Sequence, residues 1–106
     1  MRAEEVLQLI DVEMRAIAGR TLRQIVEHVG QGTWSEAVLN VNFAAREAEI
    51  LLPRAGGSPE SLVPSPDLHP HLERLSQLRL LLKDPWPRMQ ITLGSDGSCN
   101  VKFSYD

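Results

Sequence analysis

Residues 89–105 read "MQITLGSDGSCNVKFSY", and no other stretch leaves the chain less choice. Met89, Ile91 and Leu93 alternate with Gln90 and Thr92, then Cys99, Val101, Phe103 and Tyr105 alternate with Asn100, Lys102 and Ser104. A period of two is the signature of a half-buried strand, because successive side chains leave a strand on opposite faces. Asp96-Gly97 between the runs supplies turn chemistry, glycine tolerating the positive φ that a tight hairpin requires. The segment therefore predicts an antiparallel hairpin with one apolar and one polar face. On this reading Cys99, Val101, Phe103 and Tyr105 all enter the core, Cys99 as a small buried hydrophobe. Truncating Phe103 to Ala would then cost ~3–5 kcal/mol.

An isolated hairpin is marginal in water, so its apolar face needs cover and further strands. Residues 36–43 alternate again, with Ala37, Leu39, Val41 and Phe43 inward, and "EAEILL" at 47–52 points Ala48, Ile50 and Leu52 the same way. The short link between them favours a second antiparallel hairpin, since a parallel pair needs a long crossover. Helical periodicity supplies the cover. Val6, Leu9, Ile10, Met14, Ile17, Ile25 and Val29 recur at three- and four-residue steps over 3–29, with the charges of Glu4, Glu5, Asp11, Glu13, Arg15, Arg20 and Arg23 mostly opposite. Gly19 marks a possible kink, and the glycines at 30 and 32 end the helix. Leu68, Leu72, Leu75, Leu78 and Leu82 give a second stripe, with Asp67 as N-cap, Pro70 in the first turn and Asp84-Pro85-Trp86-Pro87 as the stop. Between them, residues 53–66 ("PRAGGSPESLVPSP") carry four prolines and two glycines and read as a flexible surface loop. The expected fold is one α+β domain over 1–106, ordered α-β-β-α-β-β. Its form is a two-layer sandwich, a mainly antiparallel four-stranded sheet with two helices on one face.

Chemistry is sparse. His69 and His71 are two apart, a spacing that splits them around a helix, unlike the i, i+4 pair of a zinc helix; no metal site and no cofactor are expected. Cys99 sits in a strand alternation without a neighbouring base. Gly94 to Gly97 lacks the length and lysine of a phosphate loop. Glu47 and Glu49 share an outward face, with Glu36 expected close by on the neighbouring strand, but such a face is solvated more often than catalytic. No catalytic set emerges. Trp34 and Trp86 each follow a helix and precede a hairpin. They serve either as clamps sealing the core or as anchors for a partner.

A net charge of -3 offers nothing to nucleic acid or an anionic membrane and suits a basic protein partner. No run reaches the ~20 apolar residues of a membrane span. The N-terminal stretch mixes charge with apolar residues unlike a secretory leader. A lone cysteine among 106 residues fits a reducing cytoplasm.

Trp86, Ile91, Leu93, Asp96, Gly97, Val101, Phe103, Tyr105 and Asp106, following a leucine-rich helix, resemble the C-terminal signature of YezG-type immunity proteins. The resemblance implies an antitoxin of a polymorphic toxin or contact-dependent competition system. Such a protein is not an enzyme; it binds a cognate toxin domain, commonly a nuclease, in the cytoplasm and blocks it. The surface expected to do this is the polar sheet face: Asn40, Asn42, Glu47, Glu49, Gln90, Thr92, Asn100, Lys102 and Ser104, with Asp106 at the C-terminus and the 53–66 loop alongside. The competing reading is a small acidic secretion or folding chaperone acting as a homodimer, with the long first helix as its dimer face.

Overall fold

The computed structural model describes residues 2–30, 34–53 and 57–105. Helix α1 runs over Ala3–Val29 without a break at Gly19 and buries Val6, Ile10, Glu13, Ile17, Thr21 and Ile25. These lie three and four residues apart, one stripe along its length. Gly30 ends it at φ 80°, and its N–H donates to the Val26 carbonyl at 2.7 Å. Strand β1 (Glu36–Asn42) and strand β2 (Glu47–Leu52) form the first hairpin, and β4 (Arg88–Gly94) and β5 (Cys99–Ser104) the last. Helix α2 covers His69–Arg79.

The α+β class holds, but the sheet has five strands rather than four. The segment expected to be a loose loop contributes strand β3 (Glu60–Leu62), followed by a 3-10 turn at Pro66–Leu68. Sheet order is β3-β2-β1-β4-β5, all neighbours antiparallel. Side chains of α1 hold the supposed loop in place. Arg20 donates to Asp67 at 2.8 Å. Gln24 donates to the Val63 carbonyl and accepts from the Ser65 N–H, both at 2.8 Å. His28 donates to Glu60 at 2.6 Å. Residues 54–56 of that stretch lie outside the described residues.

Helix α2 is also shorter than its leucine stripe suggests. Asp67 is not its N-cap; it lies in the 3-10 turn, where hydrogen bonds from Ser65 and Arg20 hold its carboxyl below the usual range. After Arg79 the backbone tightens into i→i+3 bonds from Leu80, Leu81 and Leu82, well before Pro85. Leu80 and Leu81 consequently stand about 60% exposed.

The core lies between the helices and the inward rows Ala37, Leu39 and Val41 of β1 with Phe43 just past it, Ile50 and Leu52 of β2, and Met89, Ile91 and Leu93 of β4. Trp86 is buried between Phe43, with ring centroids 5.4 Å apart, and Phe103, stacked at 4.2 Å. Arg79 lies 4.8 Å over the Phe43 ring and donates to the Trp86 carbonyl at 3.2 Å, closing this end of the core. Trp86 is thus a clamp, and Trp34 packs half-buried against the same core.

Strand β5 departs from expectation. Register opposite Leu93, Ile91 and Met89 puts Cys99, Val101 and Phe103 on the inward side. Yet Cys99 is exposed, Phe103 is 38% exposed and Tyr105, just past the strand, 64% exposed. The side of the sheet is as expected; burial is not, because β5 is an edge strand that overhangs the helical layer.

Candidate functional site

The other face of the sheet carries no helix among the described residues. Pairing arranges it in cross-strand rows. One row reads Glu49, Asn40, Gln90, Lys102 from β2 to β5. The next reads Glu47, Asn42, Arg88, Ser104, and a third, toward the other end of the strands, Leu51, Val38, Thr92, Asn100. All nine outward residues expected as partner contacts on the strands therefore share this one face; Asp106 lies outside the described residues. Alternation alone assigned each to the outward side. Only the β1–β4 pairing brings the two hairpins together into a single surface.

The face is graded in charge. Acid lies on β2 (Glu47, Glu49), amides occupy β1, and base lies on β4 and β5 (Arg88, Lys102). Neighbouring strands are about 4.8 Å apart, so Glu49 and Lys102 stand about 14 Å apart within one molecule, beyond pairing range. Gln90 Nε2 donates to Asn40 Oδ1 at 3.0 Å, joining the two central strands. The Ser61 hydroxyl donates to Glu49 at 2.9 Å. An open basin of about 660 Å³ lies over the first two rows, lined by Asn40, Asn42, Glu47, Glu49, Arg88, Gln90, Lys102 and Ser104 among others.

Asn42 has a second task. Its Oδ1 accepts the Ala45 N–H at 3.1 Å and so shapes the β1–β2 turn, which Arg46 completes at φ 55°. Glu36 is not beside the other acids: it pairs with Gly94 at the far end of β1, whereas Glu47 faces Asn42. A smaller hollow of about 310 Å³ lies on the helical side, between Phe43, Arg46, Val63, Leu68, His69 and Leu72.

Glu13, assigned to the polar side of α1, is buried. His71 Nδ1 and Arg74 Nη1 each donate to its carboxylate at 2.8 Å. Burial opposes its ionisation, but the His71 and Arg74 hydrogen bonds and the Arg74 charge outweigh that and hold the carboxyl below its ordinary value. His71 is thus half-buried and paired. A signal was present: 13 and 21 complete the spacing 6, 10, 17, 25, so a charge at 13 announces a buried partner. No cluster of three or more potential metal-binding side chains exists among the described residues. Nor is any described helix long and apolar enough to cross a membrane.

Compared with protein-family models and with curated proteins, the chain matches none.

Proposed function

We propose that this protein is a non-catalytic binding domain that neutralises a cognate toxin domain in the cytoplasm, docking it on the open face of the sheet. One observation carries the reading. The strands present polar side chains in ordered rows with no covering element among the described residues. Strands fix side-chain positions more rigidly than loops do, which limits the ordering cost of association. The acidic β2 side suits the basic surroundings of a nuclease groove. Complementary charge of that kind lifts association above ~10⁶ M⁻¹s⁻¹ at low salt. The C-terminal resemblance to YezG-type immunity proteins names the class of partner.

Co-expression with the product of the adjacent reading frame tests the proposal. The expected result is rescue of growth and a complex with a folded domain, without turnover by this protein. A neighbour that is harmless to cells and has no affinity for this chain overturns it.

A second reading, a chaperone, is favoured by Leu7, Leu9 and Val12, which stand 55%, 42% and 60% exposed on the first half of α1. A chaperone would dimerise through that helix, so a stable homodimer that binds a denatured client but not the folded domain would select it.

A further inference from the structure

We propose that the open sheet face is self-complementary and that two copies of this protein pair face to face through it. The inference rests on the order of charges, whatever toxin or other partner the face serves. The row Glu49–Asn40–Gln90–Lys102 reads acid, amide, amide, base. Consider a two-fold axis in the plane of contact, along the boundary between β1 and β4. It carries β2 of one copy over β5 of the other, and β1 over β4, while keeping each row in line. Glu49 then meets Lys102 of the second copy, twice by symmetry, and Asn40 meets Gln90. In the next row Asn42 meets Arg88, and Glu47 meets Ser104 with Arg88 one strand spacing away, about 4.8 Å. In the third row Val38 meets Thr92 and Leu51 meets Asn100, so the charge complementarity lies in the first two rows. An isologous interface requires one patch to complement itself, and this order does so.

The charges concerned have reason to look outside their own chain. Among the described residues Lys102, Arg88 and Glu47 have no ionic partner, and Glu49 has only the Ser61 hydroxyl. Glu49 and Lys102 of one copy stand too far apart to satisfy each other, whereas stacking at the usual ~10 Å between sheets brings their long side chains from opposite copies into reach.

Area decides the strength. Four strands by about seven residues cover roughly 450 Å² per copy, short of the ~800 Å² typical of a stable interface. The pair is therefore weak and reversible. A partner binding the same face more tightly separates it.

Sedimentation equilibrium across roughly 10 µM to 1 mM, at low and high salt, tests the pairing. The expected result is a dimer at high concentration that weakens as salt rises. Glu49→Lys and Lys102→Glu should each weaken it at least ~10-fold, and the double exchange should restore it to within ~3-fold, with circular dichroism confirming the fold. Amide shifts of the unaltered protein on dilution need no variant; they should concentrate at residues 38–42, 47–51, 88–92 and 100–102. A monomer throughout, single variants that dimerise normally, a double exchange that fails to restore pairing, or shifts confined to α1 would each overturn the proposal. Toxin neutralisation is read separately, by co-expression, so either idea can fail alone.

Discussion

The two hairpins are nearly equal in length and equally regular in alternation, yet they live in different surroundings. Every inward residue of β1, with Ile50 and Leu52 of β2, is buried; of the inward residues of β5 only Val101 is even half-buried. Alternation determines which side of a sheet a residue faces. Coverage depends on where the strand lies in the sheet, and β5 is an edge while β1 and β2 are interior. Inward therefore means buried for one hairpin and overhanging for the other.

The widest gap between them should appear on truncation. Leu39→Ala or Ile50→Ala, both at fully buried positions, should cost about 2–5 kcal/mol in urea unfolding, and Val101→Ala under about 1. Equal costs would show that β5 is covered after all. Phe103→Ala falls between, at about 1–2 kcal/mol, because the ring stacks on Trp86 but stays 38% exposed. That is below the ~3–5 kcal/mol implied by full burial.

The cover itself can be probed through Glu13, which joins α1 to α2. Glu13→Gln should cost about 1–2 kcal/mol at neutral pH by weakening charge-assisted bonds. The folded-state carboxyl lies below the ordinary value of 4.5. Its contribution is therefore complete above that value and lost as pH falls through the lower, folded-state value. Acid titration of stability should be shallower in Glu13→Gln over that window; an unchanged slope would remove Glu13 from the account.

The turns complete the contrast. Arg46 holds φ 55° in the covered hairpin, and Gly97 holds φ 90° in the overhanging one. Arg46→Gly should stabilise by about 0.5–1 kcal/mol, and Gly97→Ala should destabilise by about 1. Opposite signs in thermal melts would confirm that the turn with the poorer residue belongs to the better-buried pair. Least costly of all, Cys99 on the overhang should be modified by a thiol reagent in the native protein without loss of structure.

Element identity and strand parity were legible because they are local. Leu39, Ile50 and Ile91 announce their faces through neighbours two residues away. Three features were not legible, each set by distant partners. The β3 strand at Glu60–Leu62 is three residues between prolines, too short for a periodic signal, and it exists through pairing with β2 and the bond from His28. The exposure of Cys99 and Phe103 follows from strand order alone. The candidate face was legible as nine outward residues, but its charge gradient depended on the β1–β4 register, which links Asn40 to Gln90 across fifty positions of chain.

That long-range pairing also governs how the molecule is made. The middle of the sheet joins a strand from the first half of the chain to one from the last quarter. Closing the intervening loop carries its entropic cost before any contact rewards it. Neither half can seal Leu39 against Ile91 by itself, so assembly waits for both and belongs to the slower, millisecond end of small-domain folding. On a ribosome, Leu39 and its neighbours emerge several seconds before their partners, at ~5–20 residues per second. A nascent chain of this kind is most vulnerable in that interval.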